Sequence, residues 1–433
     1  TLIIVVIILL LIAGGAYWYL FWYGPGNTIT PVVTGNNRPT GFRPFGTSTP
    51  IDNGNATTDN TSPDEIPVNN IEPGTPIPKL RLLSNSPVGG YGANTTAQTT
   101  FIRWIDRGRG NIYEARKDSG TITTLSNTIL PKMYESVWNR NLNAFIGSIL
   151  DEESLPNTLY AEIKISSARL TTNGQSNASS SQTIRPEIDV TPYELKGKNL
   201  PKNMIGYAVS PDGKQIFMLV NESNNGIGYI ANFDGTSVKK IFTTPLTKLN
   251  VEWPETYTIG LTTKGTASEP GFLYFVNPKT GQWKKILGPI FGLSTKVSHD
   301  AKYVIFSATG RNQTLVTSIY PIGKNTPVDP MVKTLVDKCA WGNFHKNVVY
   351  CATPVDISLA TYPDDWYRGS VSFTDKIWQI DATNGEVHLV ADIVDESDRL
   401  IDAFNLGLDS EDSTLIFMNK NDLSLWSYDL FAK

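Results

Sequence analysis

The stretch richest in groups that could do chemistry is YPDDWYRG, residues 362–369, where two carboxylates, Asp364 and Asp365, stand beside Trp366, Tyr367 and Arg368. Aromatic rings and guanidinium groups dominate many recognition surfaces because they bury large areas while keeping a polar handle. These five residues are therefore the candidate binding site. The competing reading is a segment that packs its own aromatics against the edge of the fold. Only two cysteines occur, Cys339 and Cys351, in KCAWGNFHKNVVYCAT, and each lies six residues from His345. A hairpin turning around Phe344, His345 and Lys346 sets them directly opposite on adjacent strands, within disulfide reach if their Cβ atoms face one another. Two small buried hydrophobes in a reduced compartment are the alternative.

The rest of the inventory excludes more than it supplies. His299, His345 and His388 are the three histidines, expected in different repeats, and there is no histidine pair at metal-binding spacing and no Cys-X-X-Cys. A transition-metal site is not expected from such spacing. A Gly-X-Ser-X-Gly elbow, a Walker loop and a dinucleotide fingerprint are also missing, so no catalytic residue and no cofactor is assigned. DSEDS at 409–413 and DIVDESD at 392–398 lack the glycine and alternating ligands of a calcium loop and read as solvated turns. With 37 Lys and Arg against 41 Asp and Glu, and no long basic run, a nucleic-acid partner is excluded, since phosphate contacts need clustered cations.

The elements that position these residues come from a repeat. Short apolar, β-prone runs recur near Phe101, Phe145, Phe217, Ile259, Ile305, Tyr350 and Phe417. A second series, each with an aromatic partway along, recurs at Tyr113, Tyr160, Tyr229, Tyr274, Tyr320, Trp378 and Trp426, with steps of 47, 69, 45, 46, 58 and 48. A period near 46 is thus stretched twice, by polar insertions around 171–188 and 356–375. Units of this length holding about four short strands predict an all-β, seven-bladed propeller. In one unit MIGYAVS runs in, PDGK turns, QIFMLV returns, GYIANF follows and VKKIFTT closes the outer edge.

SPDGKQIFML, from Ser210, resembles the TolB-type WD40-like propeller repeat, and IWQIDATNGEVHLV and LYFVNPKTGQWKKIL resemble its aspartate-turn-glycine strand pair. The resemblance covers most of residues 200–433 and weakens before them. It implies the propeller fold; the partners of TolB itself are not carried over. After SLWSYDL only FAK remains, whereas PKLRLLS at 78–84 is a strand with no blade before it. Residues 79–85 are therefore expected to complete the last blade, removing an open sheet edge.

TLIIVVIILLLIAGGAYWYLFWY, residues 1–23, has no charge and ends in a cluster of Tyr and Trp. At 1.5 Å per residue it is long enough for a hydrocarbon core of about 30 Å, and it reads as a transmembrane helix. A cleaved signal peptide and a polymerising pilin-like helix are the alternatives. Residues 24–78, rich in Thr, Asn, Pro and Gly, read as a flexible linker with a reach on the order of 40 Å. The expected function is a membrane-tethered, extracytoplasmic interaction module that binds a protein or a glycan at the cell surface. A propeller hydrolase or lyase using channel carboxylates is one alternative, and a structural subunit of a surface assembly is another.

Overall fold

The computed structural model describes residues 70–432, except 73, 127, 154, 166–192 and 325. The expected membrane helix, most of the expected linker and the polar insertion of 171–188 lie outside the described residues. Among the described residues no helix is long and apolar enough to cross a membrane.

Seven antiparallel sheets, six of four strands and one of three, form the blades of a propeller. Strands are lettered a to d from the central channel outward. The channel wall is built by the a strands: Val88–Thr95, Met133–Trp138, Met204–Val209, Leu249–Glu255, Ser294–Val297, Cys339–Trp341 and Ala403–Leu408. Each b strand is covered on both faces by neighbouring blades, which is why Ala144–Leu150, Gln215–Glu222 and Thr414–Asn419 read as continuous apolar runs. Phe145, Phe217 and Phe417 are fully buried there, and each such side chain contributes roughly 1.5–3 kcal/mol.

The recurring turn phrases join strands a and b. Ser210 Oγ donates to Asp212 Oδ1 at 2.6 Å and accepts from the Gln215 N–H at 2.9 Å, while Asp212 accepts from the Lys214 N–H. The tight reversal puts Gly213 at φ +73°, a conformation glycine adopts without steric cost. Ser298 and Asp300 repeat the arrangement in the fifth blade, with Ala301 in the left-handed place. In the seventh blade Asp409 replaces the serine and accepts from the Ser413 and Thr414 N–H groups.

Three departures from the sequence reading stand out. Among the described residues the fifth blade has only Ser294–Val297, Tyr303–Thr309 and Leu315–Pro321. Its outer edge meets a single residue, Val328, which exchanges two backbone hydrogen bonds with Ile319. Pro327 and Pro330 flank that residue and remove the donors that a fourth strand would need. The histidines do not fall in three separate blades. His345, in the a–b turn, and His388, in strand Val387–Ala391, both belong to the sixth, because the 355–374 insertion lengthens that blade to include them. Asn70 and Ile71, from the expected linker, bond to the outer part of the first blade, through Asn70 Oδ1 to the Ile122 N–H and the Ile71 N–H to the Gly120 carbonyl.

Strand Leu80–Ser84 is strand d of the seventh blade, pairing antiparallel with Leu425–Asp429 in the register Leu80 to Tyr428 and Leu82 to Trp426. Arg81 on that strand donates to the carbonyls of Arg116, Ser119 and Gly120 in the first blade, at 3.1, 2.8 and 2.9 Å. The closing strand therefore bridges the last blade to the first. Cys339 and Cys351 face each other across strands a and b of the sixth blade and form a disulfide, with Cα atoms 4.1 Å apart.

Candidate functional site

The segment Val355–Thr374 leaves strand Val348–Pro354 and returns at Asp375–Asp381, so it is a b–c loop. In an up-and-down blade the b–c and d–a connections share one face of the ring and the a–b and c–d turns share the other. The insertion crosses that first face. Asp364 accepts from Thr266 Oγ1 and the Ala267 N–H in the fourth blade, both at 2.8 Å. Thr309 of the fifth blade donates to the Tyr362 carbonyl at 2.7 Å. Asp365 accepts from the Thr361 N–H and pairs with Arg368, closing the short helical turn Asp364–Tyr367.

The insertion's aromatics are largely core. Tyr362, Trp366 and Phe373 are buried together with Leu315 and Leu335. The Trp366 indole N–H donates to Asp402 Oδ2 at 2.9 Å, and the same oxygen accepts from the Phe373 N–H at 3.0 Å. Asp402 Oδ1 pairs with Lys338, whose ammonium also donates to Asp375 at 2.7 Å. Lys338, Asp375 and Asp402 are all fully buried. Burial pushes the Asp375 carboxyl up to about 6, against the pull of Lys338. Buried ions are costly unless paired, so this centre fixes the insertion and the blade junction; it has no opening to a ligand. Of the five candidate residues, Trp366 is only 3% exposed and offers no free face, whereas Tyr367 and Arg368 keep exposed surface.

The Tyr367 hydroxyl reaches the channel. It donates to Asp337 at 2.9 Å and lies 3.1 Å from Ser294 Oγ. Beneath it opens a cavity of about 520 Å³, lined by residues of the first, second, fifth, sixth and seventh blades. Its charged members are Arg107, Glu135, Lys296, Asp337 and Lys420, set among Tyr134, Phe404 and Met418. Glu135, Lys296 and Asp337 keep some exposed surface, yet protein surrounds them closely. Burial accordingly raises the carboxyl pKa of Glu135 and of Asp337 and lowers that of the Lys296 ammonium. Lys296 donates to the Cys339 carbonyl at 2.6 Å and lines both this cavity and the next one along the axis. In that second part Glu252 accepts from the Val297 N–H at 3.0 Å, and burial pushes its carboxyl up to about 7. Among the described residues no group of three His, Cys, Asp or Glu could hold a metal ion.

None of Glu135, Glu252, Lys296 or Asp337 belongs to a recognisable motif. A signal was nevertheless present. At the place two before the a–b turn, Ala208, Ala340 and Gly407 are small, while Glu252 and Lys296 occupy the corresponding place in the fourth and fifth blades.

No family model matches the sequence, and no curated protein does. The chain is similar in structure to TolB from Acinetobacter baumannii, with 12% identity and a TM-score of 0.41 over 65% of this chain and 59% of that one. It is also similar to an oligogalacturonate lyase from Vibrio parahaemolyticus, with 12% identity and a TM-score of 0.48 over 79% of this chain and 90% of that one. A third is the propeller domain of the Trilobed protease from Pyrococcus furiosus, with 11% identity and a TM-score of 0.45 over 78% and 95% of the two chains. At such identities the likeness concerns the fold alone.

Proposed function

We propose that the chain is a binding propeller whose partner engages the channel mouth beneath the 355–374 insertion, and that residues 1–78 tether it outside the cytoplasm. The observation that carries this reading is the cavity of about 520 Å³, into which five blades deliver fixed charges of both signs beside apolar surface. Concave sites with a few convergent polar groups are where ligands bind. Here Glu135 and Lys296 sit on strands, Arg107 and Lys420 just past strand ends and Asp337 in the short 3-10 turn Val336–Lys338, and the Lys338–Asp402–Trp366 centre holds the covering loop in place. The uncharged residues 1–23 support the tether, and the Cys339–Cys351 disulfide fits an oxidising location.

The test is site-specific photo-crosslinking of the full chain in its native membranes, with the probe at Asn405 in the cavity or at Val238 on the outer rim of the third blade. A partner captured from Asn405 and lost on Glu135→Gln or Lys420→Gln supports the reading. Equal capture from Val238 overturns it.

A second reading has its own observation. Glu252, with its carboxyl pushed up to about 7, is poised for proton transfer near neutral pH, and Lys296 lies within electrostatic reach of it. A hydrolase or lyase acting in the channel would turn over a peptide or glycan library and lose that activity on Glu252→Gln. A turnover that survives this substitution removes the reading.

A further inference from the structure

The face opposite the insertion carries a second mouth, a cavity of about 440 Å³ formed at the a–b turns, with Trp253, Pro254 and Leu408 in its wall. Its titratable lining is all basic. Arg140 comes from the a–b turn of the second blade, His299 from that of the fifth and Lys346 from that of the sixth. Arg140 and Lys346 are exposed and have no hydrogen bond or ion pair among the described residues.

The carboxylates of the surrounding turns are spent locally. Asp212 and Asp300 accept from their own serine hydroxyls and turn amides. Glu255 accepts from the Tyr257 N–H and Thr258 Oγ1. Asp412 accepts from the N–H groups of Asn343, Phe344 and His345, and Asp409 from five donors in the first and seventh blades. Two carboxylates are exceptions: Glu411 is exposed and outside the lining, and Glu252, in the adjoining cavity that shares Trp253, Pro254 and Leu408, keeps one oxygen without a hydrogen bond among the described residues. Two cations with no ion pair among the described residues thus sit at a concave, partly apolar opening whose turn carboxylates are mostly hydrogen-bonded within their own turns. Such an arrangement lowers the free energy of an incoming carboxylate, and low-dielectric walls focus the field.

We propose that this mouth binds an acidic segment of a partner protein, with Arg140 and Lys346 pairing its carboxylates and Val209, Pro211, Trp253, Pro254 and Leu408 covering its aliphatic side chains. The lining favours a peptide over an anionic glycan. The lining's prolines and aliphatic groups suit side chains that alternate acid with hydrocarbon, and they offer a run of hydroxyls little to bond beyond Asn94, Asn343 and Ser410. The Arg140 backbone packs against the Gly213 turn, where a Cβ at Gly213 would lie 2.9 Å from the Arg140 nitrogen, which fixes where this side chain leaves the rim.

The full chain is to be titrated with a pool of short peptides in which Asp or Glu alternates with Val, Leu or Pro, and with the matching Asn and Gln pool. Polygalacturonate and inorganic phosphate are run beside them. The acidic pool should bind, the amide pool should not, and affinity should fall as salt rises. Arg140→Gln and Lys346→Gln should each weaken binding about tenfold, with melting temperature unchanged because neither side chain has a partner to lose. Failure of the acidic pool to bind, equal binding of both pools, or binding indifferent to the two substitutions each overturns the proposal. Selective binding of polygalacturonate replaces it with an anionic-glycan site. Loss of peptide binding on Lys420→Gln alone would move the ligand to the insertion-side mouth, so the two sites fail separately.

Discussion

Glu252 shows how a single residue is governed by its channel. Its carboxyl, ordinarily near 4.5, is held up to about 7 by burial. Between those values the folded chain binds more protons than the unfolded one, so stability declines as pH rises through the window and levels off above it. Asp375, raised to about 6 by burial, acts in the same direction over a lower range. Replacing Glu252 by Gln keeps an oxygen for the Val297 N–H and removes the charge. The variant is expected to be more stable than the parent at pH 8 by roughly 1–2 kcal/mol, and equal to it near pH 4. Urea melts across pH 4–8 measure this, and parallel curves for the two proteins would sink it. What was legible at this scale was covalent: the equal spacing of Cys339 and Cys351 about His345 gave their register and their disulfide. The channel charges were legible only as Glu252 and Lys296 standing where other repeats have a small residue, and what they face appears only when the ring closes.

At the scale of elements, the 355–374 insertion is held by a buried lock rather than by its own turn. Lys338→Met leaves Asp375 and Asp402 buried without their cation, and a loss of about 3–5 kcal/mol is expected. Trp366→Phe removes the indole bond to Asp402 and leaves a small void where the second ring stood, for a loss of about 1–3 kcal/mol. Chemical denaturation gives both numbers. A Lys338→Met chain within about 1 kcal/mol of the parent would mean the centre is not what fixes the loop. The serine-aspartate turns could be read directly, since Ser210 and Asp212 satisfy amides within five residues of themselves. Trp366 could not be read so easily, because the oxygen that holds it belongs to Asp402, 36 residues away. The fifth blade's missing fourth strand had a local cause, Pro327 and Pro330, that the period of the repeat conceals.

For the molecule as a whole, the seven repeats gave the blade number because every unit must bury both faces of its b strand against a neighbour. Closure depends on Leu80–Ser84. Removing residues 1–85 would leave Leu425–Asp429 as a bare sheet edge, and such edges recruit other chains. The truncated chain is expected to self-associate and to melt at lower temperature, as seen by light scattering and calorimetry; a monomer of unchanged stability would show that the strand is dispensable. Arg81→Met is the milder test, since it keeps the strand and abandons three carbonyls in the first blade.

That same closing strand sets how the molecule answers a pull. Tension arriving along the chain from its amino-terminal side meets first the bonds of Asn70 and Ile71 to the first blade, and then the Leu80–Tyr428 pairing at the rim of the seventh. Both lie at the perimeter, so the outermost strand meets the load before the channel strands do. A chain drawn from that side would fray first at the rim, away from both mouths.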